Sequence, residues 1–319
     1  MGEVLYRAAS YLLIIVFGIV LKKIGFFGDS DFKTLSKIML YITLPCAIIY
    51  NFSSVQFTPS MLVLTGLGIL TGLIFIGAAY LEGKVLRRKK EIPFDMINFS
   101  GYNIGNFSMP FAQSFFGPMG VVTISLFDTG NAFICNGGSK AFAQLVKARE
   151  EKGQDKAKDA SALKTLWNSV KTIAGVLSHS VPFMTYLVMI AMALLHIGIP
   201  QMVIHFSGIV AQANAFVAML MIGVGFKLNI KKDGIAHVVR ILISRYAISA
   251  CFLAITVFVL PFDYEIKQAL IILLVAPIAS ANPAFTESLG EDYELASTVN
   301  SIGVVIGILL TTLALLAVL

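Results

Sequence analysis

The amino-acid sequence predicts an all-α polytopic membrane protein. Hydrophobic residues make up 57% of the 319 residues, charged residues only 13%, and the mean hydropathy is +0.83. Many apolar stretches reach or approach the roughly 20 residues that a helix needs to cross the bilayer core. Two of these stretches, 98–111 and 275–285, are interrupted by asparagine, small residues and proline.

Ten membrane spans follow from the apolar pattern. Their predicted limits are 4–21, 32–52, 61–81, 92–116, 119–146, 181–197, 202–226, 238–260, 266–289 and 295–318. The interrupted stretches fall in spans four and nine. Because five is an odd number, the second group of five spans enters the membrane with opposite polarity. The predicted organisation is a five-helix repeat at 1–146, a linker at 147–180 and a second, inverted five-helix repeat at 181–319.

Basic residues predict the orientation of the spans. The connections after spans one, three and seven contain Lys22, Lys23, Lys84, Arg87, Arg88, Lys89, Lys90, Lys227, Lys231 and Lys232, whereas those after spans two, four and six contain no Lys or Arg. By the positive-inside rule, both termini lie outside the cytoplasm, in a cell (inner) membrane. The acidic connection after span nine is an exception, but acidic residues count little in this rule. The net charge of +6 therefore reflects topology, and we expect no nucleic-acid partner.

The linker at 147–180 is basic, and we expect it to be cytoplasmic. In its second half, apolar residues including Trp167 recur at helical spacing, while Lys164 and Lys171 occupy another face. This pattern is typical of a helix that lies at the membrane surface. An amphipathic cytoplasmic start of helix six fits the pattern equally well, and both interpretations stay open.

The interruptions in spans four and nine carry the main functional signal. A proline inside a helix removes a backbone donor, and hydrocarbon offers no water to replace the lost bond. Pro110 in span four and Pro277 and Pro283 in span nine therefore indicate helix breaks that line an enclosed cavity. Paired broken helices in corresponding halves of a chain are typical of the binding site of a secondary transporter.

Several stretches together resemble the auxin efflux carrier family of membrane transporters in its shorter prokaryotic form. They are LKKIGFFGDSDFKTLSKIMLYITLPCAIIYNF near the start, NIGNFSMPF in span four, LHIGIP and MLMIGVGFKL around spans six and seven, and APIASANPAF, TESLGED and YELAST near the end. The resemblance implies ten helices in two inverted repeats whose broken helices four and nine cross, similar to bile acid sodium symporters and sodium/proton antiporters. It also implies export or exchange of small organic anions, such as auxin, monocarboxylates or dicarboxylates.

When the residues of the family's crossover are matched to this sequence by position, the resemblance implies two crossover elements. The matching residues are Asn103 and Pro110 in the first repeat, and Pro277, Asn282 and Pro283 in the second. The chain departs from the family in span seven. Many relatives have a proline in the middle of that span, whereas residues 212–216 contain none. The shape of the helix opposite Pro45 therefore stays open.

Asp128 is the candidate for coupling to a proton or a cation. It is the only carboxylate well inside a predicted span of the first repeat. An ionisable group at membrane depth is costly unless it faces a cavity or a partner. Asn131 follows three residues later on the same helix face, so we expect both side chains to face the broken helix. Alternatively, Asp128 only caps freed backbone N–H groups or pairs with a lysine.

Asparagines are the candidates for substrate binding, because an amide can bond both a carboxylate and the backbone groups that a break exposes. The candidates are Asn103, Asn106, Asn131, Asn282 and Asn300. Each of them could instead serve only to repair the interrupted hydrogen-bond ladder.

Other functional groups are not expected at mid-membrane. Arg245 lies within two turns of the cytoplasmic end of span eight, and we expect it to reach that surface as an anchor. With no arginine at the breaks, half-helix N-termini and amides would hold an anion, which favours a small carboxylate. The four histidines and three cysteines have no ligand spacing, so no metal site and no cofactor are expected. No nucleophile, base and orienting residue converge in any segment, which argues against an enzyme.

The leading hypothesis is a secondary transporter that moves a small organic anion, such as a mono- or dicarboxylate or an auxin-like acid, by alternating access. The alternative is a sodium- or proton-coupled symporter of the bile acid symporter type. A non-transporting receptor ranks third, because only the linker offers an output region. The expected partners are the anion, Na⁺ or H⁺ if transport is coupled, the lipid bilayer, and a second copy of the chain if the carrier is a homodimer.

Cysteine labelling tests the predicted orientation. In a chain whose three native cysteines are replaced by alanine, Arg88→Cys and Gln154→Cys should react with a membrane-impermeant maleimide only from the cytoplasmic side. Pro200→Cys should react only from the outside, because it follows span six. Labelling of Arg88→Cys from the outside would contradict the ten-span arrangement.

Overall fold

The computed structural model describes residues 2–28, 30–151, 159–226 and 234–319. This part of the chain contains helices joined by short connections and no β-strand. The helices are α1 (Gly2–Lys23), α2 (Asp31–Ile38), α3 (Leu44–Phe52), α4 (Val63–Val85), α5 (Ile92–Phe99), α6 (Met109–Phe115), α7 (Gly117–Phe133), α8 (Ser139–Glu151), α9 (Asp159–Ser178), α10 (Val181–Leu194), α11 (Gln201–Ala211), α12 (Asn214–Gly225), α13 (Ile235–Phe258), α14 (Tyr264–Leu274), α15 (Asn282–Ser288) and α16 (Tyr293–Val318). Two π-helical turns interrupt them, at Met39–Thr43 and Ile104–Ser108, and a kink with non-helical backbone at Asn136 and Gly137 separates α7 from α8.

Membrane-spanning character is clear in this part of the chain. Five helical stretches are long and apolar enough to cross a bilayer: Asp31–Phe52, Pro59–Val85, Gln201–Gly225, Ile235–Phe258 and Tyr293–Val318. The end of α9 and the whole of α10 are also apolar enough together, although the two helices are bent relative to each other. If these two helices count as one span, the number of spans rises to six. The all-α polytopic class is therefore confirmed, while the ten-span inverted repeat stays a prediction.

The helices pack in two bundles. Helices α1 to α3 pack on α10 to α12, and we call this group the small bundle. Helices α4 to α8 pack with α13 to α16, and we call this group the large bundle. Each bundle thus combines helices from both halves of the chain.

Glycines allow the closest helix contacts in both bundles. In the large bundle, a methyl group added to Gly68 of α4 would lie 2.9 Å from the backbone nitrogen of Asn131 on α7, which is too close. In the small bundle, a methyl group on Gly18 of α1 would lie 2.7 Å from the carbonyl oxygen of Leu220 on α12. Small residues that let two backbones approach in this way are typical of helix association in membranes.

The predicted interruptions are present in the structure. Helix α5 ends at Phe99 and helix α14 ends at Leu274, and each is followed by an irregular connection before the chain becomes helical again. We call these two connections the paired breaks. They touch, because the backbone N–H of Asn103 donates to the carbonyl oxygen of Pro277 at 2.9 Å.

The three prolines occupy different places at the breaks. Pro283 lies in the first turn of α15, where an N–H group would have no helical partner. Pro110 lies in the first turn of α6, directly after the π-helical turn at Ile104–Ser108. Pro277 lies inside the second break itself. All three prolines therefore lie in or next to an irregular part of the backbone, and none lies inside a long regular α-helix.

The end of the linker forms a helix at a steep angle to the next one. Helix α9 is bent by 83° from α10. Trp167 on α9 is exposed, and Nζ of Lys171 lies 5.6 Å from the centroid of its ring. This geometry favours the interpretation of α9 as a helix at the membrane surface. Residues 152–158 of the linker lie outside the described part of the chain.

Two glycines in α4 test the packing of the large bundle. Gly68→Ala should lower the unfolding temperature of the purified protein, since overpacking against a neighbouring backbone typically costs about 1–3 kcal/mol. Gly66→Ala is the matched control in the same helix, because a methyl group there meets nothing within 4 Å. Equal unfolding temperatures for the two variants would contradict the close contact between α4 and α7.

Candidate functional site

A polar cavity of about 160 Å³ lies between the two bundles, beside the paired breaks. Its polar lining residues are Tyr102, Asn103, Asn106, Asp128, Asn131, Cys135, Asn136, Ser180, Tyr186 and Ser280. Both π-helical turns contribute lining residues, as such turns frequently do at functional sites, and so does the kink between α7 and α8. Among the described residues, the lining contains no Lys, Arg or His. The volume is smaller than that of a typical drug-sized pocket, so the cavity suits a small ligand.

Asp128 supplies the only charged side chain of the cavity lining. Its Oδ1 accepts a hydrogen bond from Nδ2 of Asn131 at 2.9 Å, and its Oδ2 accepts one from the hydroxyl of Tyr186 at 3.1 Å. Asp128 lies on α7 of the large bundle, whereas Tyr186 lies on α10 of the small bundle. The carboxylate therefore bonds across the interface between the bundles, in addition to facing the cavity.

Asn131 connects α7 to the first break. Its Oδ1 accepts from the backbone N–H of Tyr102, and its Nδ2 donates to the carbonyl oxygen of the same residue, both at 3.0 Å. Because Nδ2 also donates to Asp128, both amide hydrogens are already used. Asn131 lines the cavity as predicted, but its hydrogen bonds hold the broken backbone and the carboxylate in place.

Asn103 and Asn106 present the least occupied polar groups of the first break. The amide of Asn103 has no hydrogen-bond partner among the described residues, and it faces the cavity. Asn106 donates from Nδ2 to Oγ of Ser280 at 3.2 Å and so joins the two breaks, while its buried Oδ1 has no partner in the described part of the chain. These two amides are the groups that remain available to a ligand.

Asn282 and Asn300 are not part of the cavity lining. Asn282 is buried, and its Nδ2 donates to the carbonyl oxygens of Ile97 at 2.7 Å and Ser100 at 3.0 Å. It thereby satisfies acceptors that the end of α5 leaves open. Asn300 lies on α16, where its Oδ1 is buried away from the cavity. The structure thus separates these two asparagines from the three that reach the cavity.

Arg245 occupies a different place from the one that the sequence predicts. It is fully buried, and it donates from Nη2 to the carbonyl oxygen of Gly101 at 2.9 Å and from Nη1 to that of Phe99. The expectation of an anchor at the cytoplasmic surface was wrong, as was the expectation that no arginine reaches the breaks. The available signal was the carbonyl groups that two broken helices expose, which need a strong donor nearby.

A hydrogen-bonded chain of three buried or half-buried residues also joins the two bundles. Thr43 donates to Oδ1 of Asn214 at 2.9 Å, and Nδ2 of Asn214 donates to Oε1 of Gln113 at 3.1 Å. Thr43 and Asn214 belong to the small bundle and Gln113 to the large bundle, so this chain also spans the interface. We call these three residues the polar seal.

A second cavity, of about 480 Å³, is lined by Gln113 of the polar seal and reaches Pro118 and His205. The first cavity instead reaches Ser180, next to the linker. Span seven contains a short interruption between α11 and α12, at Gln212 and Ala213, although it has no proline there. Asn214 begins α12 directly after this interruption, and its buried side chain belongs to the polar seal.

A group of ionisable residues outside the cavity could offer ligands to a metal. Glu91, Asp95 and His237 bring one ligand atom each within 4.8 Å of one another. However, Arg240 donates to Asp95 at 2.7 Å and to Glu91 at 2.8 Å, and it also bonds Glu82. The guanidinium group of Arg240 thus bonds one oxygen of each of these three carboxylates. These ion pairs connect α4 and the start of α5 to α13. Sequence spacing alone gave no sign of this group.

Comparison with known proteins identifies a family. A family model described as membrane transport protein matches residues 4–315, which is nearly the whole chain. None of the curated proteins searched matches the chain.

Two alanine variants should separate ligand binding from backbone repair. Asn282→Ala removes the donor to the carbonyl oxygen of buried Ser100 and one of the donors to that of Ile97, so it should lower the stability by about 1–3 kcal/mol. Asn103→Ala removes an amide without a partner, so it should leave the unfolding temperature unchanged in the absence of ligand. Thermal unfolding of the detergent-purified variants measures both. A loss of stability in Asn103→Ala as large as that in Asn282→Ala would contradict the assignment of Asn103 to the ligand.

Proposed function

The chain belongs to the auxin efflux carrier family of membrane transport proteins, and on this premise we propose that it carries a small organic anion across the cell membrane by alternating access. Membership makes it a multi-pass membrane transporter with a small-molecule substrate, and not an enzyme. The observation that carries the proposal is the polar cavity at the paired breaks, which lies between the two bundles.

The proposed arrangement is ten helices in two inverted repeats. In support, each half of the chain contains one broken helix, and each half contributes helices to both bundles. Both termini then lie outside the cytoplasm, with the linker inside. In this orientation the small cavity faces the cytoplasm, and the polar seal closes it from the outside.

The cavity favours a small ligand that accepts hydrogen bonds from neutral donors. Asn103, Asn106 and Ser280 offer amide and hydroxyl groups there, and no lining residue offers a cationic side chain. Neutral donors and oriented backbone dipoles can hold a mono- or dicarboxylate, whereas a phosphorylated ligand would call for Arg or Lys. The substrate class proposed is therefore a small carboxylate or an auxin-like acid.

Asp128 supports coupling to a cation. A carboxylate substrate next to an ionised Asp128 would place two negative charges in one small cavity, and their repulsion is strong where water is scarce. A proton or a cation on Asp128 removes that repulsion, so anion and cation favour each other's binding. Proton coupling is the form proposed, because Asn131 and Tyr186 already occupy both oxygens of Asp128. A sodium symporter of the bile acid type is the alternative, with asparagine oxygens completing the ion site.

Flux into proteoliposomes tests the function. The purified protein should take up one or more members of a panel of radiolabelled mono- and dicarboxylates, and a pH gradient should stimulate that uptake. Stimulation by sodium, but not by potassium at equal ionic strength, would favour the alternative. Absence of flux for the whole panel, with protein shown to be folded by its unfolding transition, would contradict transport of a carboxylate.

Asp128→Asn is the sharpest test of coupling, since the amide keeps the shape but loses the charge and the titration. With the carboxylate that gives flux, this variant should retain exchange down a concentration gradient and lose accumulation driven by the pH gradient. Asp263→Asn is the control, because Asp263 is an exposed carboxylate outside the cavity. Unchanged accumulation in Asp128→Asn would place coupling elsewhere.

A further inference from the structure

Arg245 is the largest fully buried side chain in the described part of the protein, and it carries a charge. No described carboxylate lies within ion-pair distance of its guanidinium group. A buried cation without a counter-charge is strongly unfavourable, so other groups must compensate it. The compensation comes from the backbone and from two aromatic rings.

The backbone partners of Arg245 come from both breaks. Its guanidinium group donates to the carbonyl oxygens of Phe99 and Gly101 in the first break, and Nη2 lies 3.5 Å from that of Ala276 in the second. These carbonyls lie at the C-terminal ends of α5 and α14. Each helix C-terminus carries about −0.5 elementary charge, so the two ends together balance about one positive charge.

Two rings enclose the same guanidinium group. Its central carbon lies 4.8 Å from the ring centroid of Phe75 and 4.9 Å from that of Tyr102. Aromatic faces attract a cation at such distances, most strongly where water is excluded. Tyr102 also belongs to the first break, and Asn131 holds its backbone. The arginine is therefore fixed from three sides and does not face the cavity.

We propose that Arg245 is a resident cation that holds the two breaks together, so that the breaks need no bound metal cation. Carbonyl oxygens of unwound segments and negative helix ends are the groups with which transporters of this general shape coordinate Na⁺. Here a covalently attached guanidinium group uses them. Arg245 is thus a positioning residue: it fixes the backbone that presents Asn103 and Asn106, and it does not touch the substrate.

Thermal unfolding of the purified full-length protein tests this proposal. The wild-type protein should unfold at the same temperature in sodium chloride and in choline chloride of equal ionic strength. Arg245→Ala should unfold about 5–10 °C lower, since it removes the donor to the carbonyl oxygens of Phe99 and Gly101 in the first break and of Ala276 in the second. About 20 mM guanidinium chloride, which is far below a denaturing concentration, should restore part of that loss. Arg88→Ala is the control, because Arg88 is exposed, and it should show no such recovery.

Two further variants cover the case in which Arg245→Ala does not fold. Arg245→Lys keeps the charge but cannot present a planar fork of donors, so it should fold and unfold between wild type and Arg245→Ala. Arg245→Met keeps much of the volume without charge, and wild-type stability in this variant would overturn the proposal. Specific stabilisation of the wild type by sodium, or a loss in Arg245→Ala that guanidinium does not restore, would overturn it as well. Because the readout needs no substrate, such a failure would leave the proposed transport function intact.

Discussion

Backbone groups exposed at two helix breaks must find partners inside the protein, and most of the polar side chains near the cavity are arranged to meet this need. Hydrocarbon supplies no water, so an unpaired carbonyl or amide there costs several kcal/mol. The side chain of Asn282 donates to carbonyl oxygens at the end of α5, the side chain of Asn131 bonds the backbone of Tyr102, and Arg245 donates to carbonyl oxygens of both breaks. The two breaks also bond each other, because the backbone N–H of Asn103 donates to the carbonyl oxygen of Pro277.

This division of labour decides which groups remain for chemistry. Once the backbone is satisfied, the groups that the cavity still offers include the amides of Asn103 and Asn106, the hydroxyl of Ser280 and the carboxylate of Asp128. A site of this kind binds through a few neutral donors and one titratable group. Such a site suits modest affinity, which a carrier requires because it must release its substrate on the other side of the membrane.

The sequence predicted the breaks and the polar residues around them, because proline and asparagine are costly inside an apolar span unless the helix is interrupted there. It could not assign roles among the asparagines, since the same amide can repair backbone or bind ligand. Asn282 and Asn103 look alike in sequence, and only their neighbours in space distinguish them. Arg245 was wrongly predicted to reach the membrane surface, because it lies close in sequence to the end of a span. That prediction did not consider that the carbonyl groups of the breaks need a hydrogen-bond donor inside the protein. The ion-pair cluster around Arg240 joins residues far apart in the chain and has no local signal.

Under the proposed function, the two hydrogen-bonded contacts between the bundles respond differently to a proton. The hydroxyl of Tyr186 donates to Asp128 across the interface, and this bond is strong only while the carboxylate is charged. A proton on Asp128 weakens the bond and at the same time permits an anion to enter the cavity. The polar seal of Thr43, Asn214 and Gln113 crosses the same interface through neutral hydrogen bonds, which do not depend on the charge of Asp128. The protonation state of Asp128 therefore affects both the anion and one of the contacts between the bundles, and this shared dependence is what couples a proton to the carrier.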